Sequence, residues 1–329
     1  MEFWTWLILN RSKGFDFYKN LIDKLADNNF YGLHIDANKF DDFLEEVVDY
    51  AKGLGLKVHA WHWIMNANND EIAQNEYPHL FNMNRKLQSS LTFPQYVDYY
   101  KWLCPENSET YEYLKNRISK LFNYNFDAIH LDYIRHPDVF LPVGLLPNYG
   151  ITQETELPEY DYCYCNTCRN NFKLEYGVDP LNFSDPSEIR EWKEFRLRSI
   201  NRVVNKLSKF IKENGKKVSA AVFPYPEMAI DMVRQDWASW NIDMVFPMIY
   251  FQFYLKNHNW VNEVIDLCQS QQKLSQDLYA GLYLPEMKKE DFQSICKDLK
   301  DKSVNGVSLF PADGISDEFL SVAKNFKRK

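Results

Sequence analysis

The sequence predicts an α/β fold, a (β/α)8 TIM barrel in which eight parallel strands alternate with eight helices. Eight short apolar runs alternate with stretches of helical periodicity along the 329 residues. The apolar runs are nearly continuous, which is typical of parallel strands that are buried on both faces. A doubly wound open sheet fits less well, because no glycine-rich phosphate-binding turn follows the first run. We therefore expect a closed barrel with its active-site face at the C-terminal ends of the strands.

Each predicted strand is followed by a predicted helix. The strands are expected at residues 3–9, 31–36, 57–64, 128–131, 217–223, 243–250, 278–284 and 306–310. The helices are expected at residues 17–26, 40–52, 108–122, 186–213, 228–239, 260–270, 289–299 and 317–326. Residues 1–329 are expected to form a single barrel domain, with residues 136–184 as an irregular insertion over the active-site face.

Composition narrows the range of partners. The formal net charge of −8 and the pI near 5.5 argue against nucleic acid. No segment approaches the run of about 20 apolar residues that a membrane span needs. The strand-like start of the sequence lacks the basic and apolar regions of a signal peptide, so we expect a cytoplasmic protein, or an exported one whose leader has been removed.

The fourth predicted strand leads directly into ionisable and aromatic side chains. Residues 126–136 read FDAIHLDYIRH, and Asp132 follows the apolar part of this run. Since barrels place catalytic groups at the C-terminal ends of strands, Asp132 is expected at the active-site mouth. A structural ion pair with Arg135 is the simpler alternative. We favour Asp132 as a catalytic nucleophile or base that Arg135 helps to keep ionised.

Other strand ends contribute polar and aromatic side chains to the same face. The candidate substrate-binding residues there are Asp36, His59, His62, Trp63, Tyr133, Arg135, Tyr250, Tyr283, Glu286 and Asp313. Trp61, Tyr225 and Tyr254 are further aromatic candidates, with core packing as the alternative for each ring. Carboxylates among aromatic rings suit sugars, which offer apolar C–H faces for stacking and hydroxyl groups for hydrogen bonds. The sequence thus indicates a carbohydrate substrate.

Glycoside hydrolysis requires a second carboxyl group, which protonates the leaving oxygen while the first attacks the sugar or activates water. Glu227 is the favoured acid, because the preceding residues FPYP would exclude water and raise its pKa. Asp36, Glu286 and Asp313 are the alternatives. The sequence does not define the separation of the two carboxyl groups, and so leaves retaining and inverting mechanisms open.

A catalytic metal is the competing interpretation of the histidines. His59 and His62, together with Asp132 and His136, have side chains of the types that bind zinc. Residues three apart in a strand point to opposite faces, however, so His59 and His62 are poorly placed to share an ion. The same alternation directs Trp61 and Trp63 to one face and His62 to the other. We therefore expect no cofactor for catalysis.

The cysteines suggest a separate structural feature. Three of them form a C-x-C-x-x-C run in the insertion, Cys163, Cys165 and Cys168, and Cys104 lies in the loop after strand three. Four thiolates from adjacent loops would suit a structural zinc ion that fastens the insertion. Disulfides in an exported protein and free thiols are the alternatives.

The strand-four motif resembles that of a bacterial glycosyl-hydrolase-like family known as "family 10 glycosylhydrolase", which is distinct from the xylanases of that number. The family reads FDGIHLDYIRYP, so that Ala128 replaces glycine and His136 replaces tyrosine here. Further similar segments span most of the chain: residues 58–61, 102–105, 163–168, 192–198, 221–227 and 243–250. The resemblance implies a barrel glycosidase with Asp132 as the catalytic carboxylate. It also implies that the site is lined by Arg135, Arg198, Asn201 and Tyr250.

Together these features predict a glycoside hydrolase that acts on an oligo- or polysaccharide through Asp132 and Glu227. A carbohydrate-binding barrel without turnover is one alternative. A metal-dependent hydrolase that uses His59 or His62 is the other.

Overall fold

The computed structural model describes residues 1–272 and 276–326, and in this part of the chain eight parallel strands close into a barrel in the order β1 to β8. The strands are β1 Glu2–Leu7, β2 Phe30–Asp36, β3 Lys57–Trp63, β4 Ala128–Asp132, β5 Lys217–Val222, β6 Met244–Pro247, β7 Asp277–Tyr283 and β8 Gly306–Phe310. The last strand pairs with the first, which leaves no open edge in the sheet. The predicted (β/α)8 barrel is confirmed.

Helices connect successive strands on the outside of the barrel. They are α1 Phe15–Asp27, α2 Asp42–Gly53, α3 Glu71–Glu76, α4 Ser108–Leu121, α5 Leu146–Tyr149, α6 Asn166–Tyr176, α7 Arg190–Glu213, α8 Pro226–Val233, α9 Asn259–Gln271, α10 Lys289–Leu299 and α11 Asp317–Asn325. Several begin at a polar cap: the Asp41 carboxylate accepts a hydrogen bond from the Leu44 amide at the start of α2. None of the described helices combines the length and the apolar character that crossing a membrane requires.

Several elements are shorter than their sequence patterns predicted. The sixth strand, for example, ends at Pro247 rather than at Tyr250. The helix predicted at residues 228–239 ends at Val233, where Arg234 adopts a left-handed backbone conformation with φ of 55°.

Aromatic and histidine side chains fill the inside of the barrel. Trp4 and Trp6 both stack on the His34 ring, with ring-centroid distances of 5.1 and 4.9 Å. Phe246 stacks on Tyr279 at 4.6 Å. These inward-facing side chains make the lower barrel a packed core, and a cavity opens nearer the C-terminal ends of the strands.

The long segment between β4 and α7 forms a second, smaller core beside the barrel. It contains α5 and α6, and its buried Tyr164 and Phe172 pack against Trp192 of α7. The segment between β3 and α4 lies against it, since the Tyr164 amide donates a hydrogen bond to the Met83 carbonyl. The two segments, 64–107 and 133–189, thus pack together on one side of the barrel mouth.

Candidate active site

A cavity of about 560 Å³ opens at the C-terminal ends of the strands, a volume in the usual range for small-molecule sites. Its charged lining residues are Asp36, Asp132, Arg135 and Asp138. Its aromatic lining residues are Trp6, Trp61, Trp63, Tyr99, Tyr100, Tyr133, Tyr149, Phe223, Tyr250, Phe253, Tyr254 and Phe310. The cavity therefore combines carboxylates with a wall of rings.

Asp132 is the last residue of β4 and faces this cavity. One carboxylate oxygen, Oδ2, accepts a hydrogen bond from the Trp61 indole N–H at 2.8 Å, and Oδ1 accepts one from the Tyr133 amide at 2.7 Å. Burial raises the pKa of Asp132 above its ordinary value, while these two donors act in the opposite direction. A carboxyl group held in this way is suited to exchange a proton with a substrate.

The backbone is strained immediately after this carboxylate. Tyr133 has φ of 48°, a left-handed conformation that is unfavourable for a residue with a Cβ atom. The strained turn aims the Tyr133 amide at Asp132 and brings the Tyr133 ring to 4.6 Å from that of Trp63. Backbone strain of this kind concentrates at functional sites, where the surrounding structure maintains it.

Asp36 is the second carboxylate at the mouth, at the end of β2. Its Oδ1 accepts hydrogen bonds from the Asn38 amide at 3.2 Å and from the Asn38 side chain at 2.8 Å. The side chain is half-buried. Because β3 lies between β2 and β4, Asp36 and Asp132 stand on either side of Trp61 and Trp63.

The third carboxylate, Asp138, is already paired. It is buried and accepts a hydrogen bond from Arg135 at 2.8 Å. The Arg135 guanidinium also lies 4.9 Å from the Trp102 ring and 5.1 Å from the Phe223 ring. Arg135 forms its ion pair with Asp138 rather than with Asp132, but its positive charge still lowers the pKa of Asp132, in the direction that the sequence predicted. Asp132 is stabilised by Trp61 and the Tyr133 amide.

Beneath the cavity lies a layer of buried polar side chains, which we call the barrel floor: His34, His59, His130 and Ser219. The indole N–H of Trp6, which lines the cavity, donates to His130 Nε2 at 3.2 Å. His130 Nδ1 therefore carries the proton and donates to Ser219 Oγ at 2.9 Å. Ser219 in turn donates to His59 Nδ1 at 3.0 Å. This chain of hydrogen bonds assigns one tautomer to each of these two histidines.

The structure brings together six of the predicted site residues around the cavity, namely Asp36, Trp63, Asp132, Tyr133, Arg135 and Tyr250. Burial and the nearby Asp132 raise the pKa of Tyr250, so its phenol keeps its proton. Tyr283 packs behind Tyr250, with ring centroids 5.5 Å apart. Trp61 and Tyr254 also line the cavity, whereas Tyr225 is absent from its lining.

The two predicted strand-three histidines do not reach the cavity. His59 is part of the barrel floor, and His62 points outward, where its Nδ1 lies 2.9 Å from the Ala37 carbonyl oxygen. The predicted alternation of β3 is confirmed, because Trp61 and Trp63 face the cavity and His62 faces the helices. His59 and His62 lie on opposite faces, as expected, so they do not form a shared metal site.

Glu227, the favoured acid, lies outside the cavity. It occupies the first turn of α8, where its side chain is exposed and lies 3.5 Å from the Gln271 amide nitrogen of α9. The prediction that apolar neighbours would bury this carboxylate was wrong, because Pro226 begins a helix there and the helix directs Glu227 away from the barrel axis. Glu286 is also exposed, and Asp313 is exposed and paired with Lys13.

Two residues suggested by the family resemblance belong to the outer helix α7. Arg198 donates hydrogen bonds to Glu175 and to the Tyr176 hydroxyl, and Asn201 accepts one from the Trp240 indole at 2.7 Å. Neither residue lines the cavity as the structure describes it. Both hold the outer layer together.

Several cavity residues were missed at the level of sequence. Tyr99, Tyr100 and Tyr149 come from the two long segments, whose course has no periodic signal. Trp6 and Phe310 lie at the ends of β1 and β8. These two follow the inward-facing alternation of their strands, and that pattern would have identified them.

Two groups of side chains have the composition of metal ligands. Cys104, Cys163, Cys165 and Cys168 form one, and His34, His59 and His130 the other, each with its ligand atoms within 4.8 Å of one another. The histidine group is enclosed in the barrel floor, and the cysteine group lies in the smaller core.

A closed (β/α)8 barrel with carboxylates and aromatic rings at its C-terminal mouth is the architecture of barrel glycosidases. The family model of glycosyl hydrolase-like 10 matches residues 11–290. The chain therefore belongs to the glycosyl hydrolase-like 10 family, which confirms the resemblance of the strand-four motif.

Solved structures with the same fold include several glycosidases. The catalytic domain of β-amylase from Paenibacillus polymyxa has a TM-score of 0.67 at 12% identity, over 99% of this chain and 97% of that one. A β-galactosidase from Halorubrum lacusprofundi has a TM-score of 0.65 at 11% identity, over 99% and 57%. The β-N-acetylhexosaminidase from Bacteroides fragilis has a TM-score of 0.57 at 10% identity, over 98% and 65%.

At such identities the likeness establishes the fold. A comparison with curated protein sequences gave no match. Family membership, rather than the likeness of fold, supports a glycoside hydrolase role.

Proposed function

We propose that the protein is a glycoside hydrolase that cleaves its substrate in the 560 Å³ cavity with Asp132 as the central catalytic residue. The observation that carries the proposal is the setting of Asp132, a carboxylate at the end of β4 with two fixed donors and a raised pKa. Membership of a glycosyl hydrolase-like family supports the reaction class.

In this mechanism Asp132 holds the exchangeable proton. Burial favours its neutral form, so it donates a proton to the glycosidic oxygen as the bond to the anomeric carbon breaks. The Trp61 and Tyr133 donors then stabilise the carboxylate that remains. Assigning the proton to Asp132 differs from the role of nucleophile or base that its sequence position favoured.

Asp36 is the second carboxylate of the mechanism. Of the carboxylates that line the described cavity, Asp138 is engaged with Arg135, which leaves Asp36 and Asp132. Asn38 donates to one oxygen of Asp36, and the other is available to stabilise positive charge at the anomeric carbon or to act on water. Glu227 has no part in this proposal, because it lies outside the cavity.

The rings provide the sugar-binding surface. Trp63 and Tyr133 form one wall of the cavity, and Tyr250 and Phe310, stacked at 6.4 Å, form another. The apolar faces of a pyranose would pack on these rings while its hydroxyl groups reach the carboxylates. The substrate is therefore a neutral oligo- or polysaccharide rather than a polyanion, since carboxylates outnumber cations among the charged residues of the lining.

The test is release of sugar from a panel of aryl glycosides and oligosaccharides. Wild type is compared with Asp132→Asn and Asp36→Asn, each expected to lower kcat by about 100- to 10,000-fold. Circular dichroism should show the same folded content in all proteins. Glu227→Gln is the matched control and should retain wild-type activity.

Four results would contradict the proposal. Full activity of Asp132→Asn would exclude the central carboxylate, and loss of activity in Glu227→Gln would restore the residue favoured by the sequence. Calorimetric binding of a sugar without turnover by wild type would identify a carbohydrate-binding barrel. Activity abolished by a chelator, with unchanged hydrogen-exchange protection of the segments that line the cavity, would point to a metal-dependent reaction.

A further inference from the structure

Four cysteine thiols from two distant parts of the chain meet in the smaller core. Cys104 precedes α4, Cys163 and Cys165 lead into α6, and Cys168 lies in the first turn of α6. Cys104 Sγ lies 3.4 Å from both Cys165 Sγ and Cys168 Sγ, and all four sulfur atoms, including that of Cys163, lie within 4.8 Å of one another. All four side chains are buried, with at most 8% of any residue exposed.

This arrangement has the dimensions of a tetrahedral metal site. Zinc binds thiolates at about 2.3 Å, which separates the sulfur atoms of a tetrahedron by about 3.8 Å. Two disulfides would instead require sulfur pairs about 2.05 Å apart, and the four thiols are free. We propose that Cys104, Cys163, Cys165 and Cys168 bind one structural zinc ion.

The surroundings of the sulfur atoms fit bound thiolates. The Met83 amide donates to Cys163 Sγ at 3.3 Å, and the Cys165 amide donates to the same sulfur at 3.4 Å. Backbone donors of this kind compensate the negative charge that four thiolates bring to one ion. A buried group of four thiolates without a cation would carry an uncompensated charge.

The site is structural rather than catalytic. Four protein ligands complete the coordination of zinc and leave no position for water or substrate. The four cysteines are also absent from the lining of the cavity as the structure describes it. Hydrolysis at Asp132 therefore does not involve this ion.

The ion would fasten the two segments that form one side of the cavity. Tyr99 and Tyr100 belong to the segment that carries Cys104, and Asp138 and Tyr149 belong to the segment that carries the other three cysteines. Bridging the two segments through a metal joins residues about 60 positions apart, as in the contact of Cys104 with Cys165. Such a cross-link restricts the unfolded chain and keeps the cavity wall in place.

Metal analysis of the purified protein tests the proposal. Elemental analysis should find about one zinc ion per chain in wild type, and close to none in Cys104→Ser and Cys165→Ser. Cys268→Ser is the matched control, because Cys268 is also a buried free thiol but lies in α9, outside the cluster. It should retain the full zinc content.

X-ray absorption at the zinc edge needs no variant, so it decides the case even if the serine variants fail to fold. Four sulfur neighbours at about 2.3 Å are expected. Nitrogen or oxygen neighbours, zinc-free folded protein, or a mass showing disulfides in the native state would each overturn the proposal. Zinc retained in a folded Cys104→Ser variant would do so as well, since the ion would then lie elsewhere.

Hydrogen exchange measures what the ion does. After removal of zinc by a chelator, amides of residues 158–189 should exchange faster while those of the barrel strands stay protected. Unchanged protection of this segment would contradict a fastening role.

Discussion

The barrel floor and the cavity mouth above it are built from side chains of the same three strands, β2, β3 and β4, but they differ in exposure to solvent. On each of these three strands, the mouth residue follows the floor residue by two positions: Asp36 follows His34 on β2, Trp61 follows His59 on β3, and Asp132 follows His130 on β4. The floor is closed and its side chains are at most 2% exposed. The mouth opens into the cavity, and both of its aspartates are half-buried.

Burial has opposite effects on the two layers because their titratable groups carry opposite charges. It lowers the pKa of His59 to about 3 and that of His34 well below its ordinary value, so the floor is neutral at physiological pH. It raises the pKa of Asp132, which prepares the mouth for proton transfer. The position of a residue along its strand therefore decides whether burial keeps it as a neutral part of the core or prepares it for proton transfer.

The largest difference between floor and mouth should appear in how the free energy of unfolding changes as the pH falls. The unfolded chain protonates its histidines near pH 6.5 while the folded floor does not, so more protons bind to the unfolded state and stability falls as pH falls below that value. His34, His59 and His130 together should contribute a loss of about 4 kcal/mol per pH unit in that range. Urea unfolding at pH 7, 6 and 5 measures this loss together with that of His62 and His136, whose pKa values burial also lowers.

A variant isolates this contribution from other acid-sensitive features. His34→Leu should reduce the pH dependence by about 1.4 kcal/mol per pH unit, while His79→Gln, at an exposed position, serves as the control. Asp132 acts in the opposite direction, because its raised pKa lets the folded state gain a proton first as pH falls. Equal stability at pH 7 and pH 5 would refute the difference between floor and mouth.

The mouth can be altered without touching the floor. Trp61→Phe removes the N–H that donates to Asp132 Oδ2, so the pKa of Asp132 should rise further and kcat should fall by about 10- to 100-fold. The alkaline limb of the pH–rate profile should move to higher pH. Trp240→Phe removes an indole donor outside the cavity and is the matched control. An unmoved profile would show that Trp61 does not tune Asp132.

The smallest effect is expected when the hydrogen bonds of Ser219 within the barrel floor are removed. Ser219→Ala breaks the hydrogen bonds to His130 and His59 and should lower the free energy of unfolding by about 1 to 3 kcal/mol. Because Ser219 lies below the cavity, kcat should stay unchanged. Denaturant unfolding and steady-state kinetics of the same preparation give both numbers. A large loss of kcat with normal stability would extend the reactive region down to the floor.

Much of the fold and part of the site could be predicted because they depend on local patterns. Apolar runs and helical periodicity are sufficient to count eight strands, and alternation along β3 correctly placed Trp61, Trp63 and His62. The position of Asp132 after a strand correctly placed it at the cavity. Its partners could not be predicted in the same way, since Trp61 is 71 residues away in sequence and Arg135 turned to Asp138 instead.

The sequence by itself determined the barrel, the alternation of side chains along β3 and the position of Asp132 at the end of β4, because strand geometry converts spacing along the chain into direction. Only the tertiary structure decided which of these ends share the cavity. It excluded Glu227, because a helix beginning at Pro226 carries that side chain outward, and it united Cys104 with three thiols about 60 residues away. Packing between segments far apart in the chain sets such distances, and no local pattern encodes them.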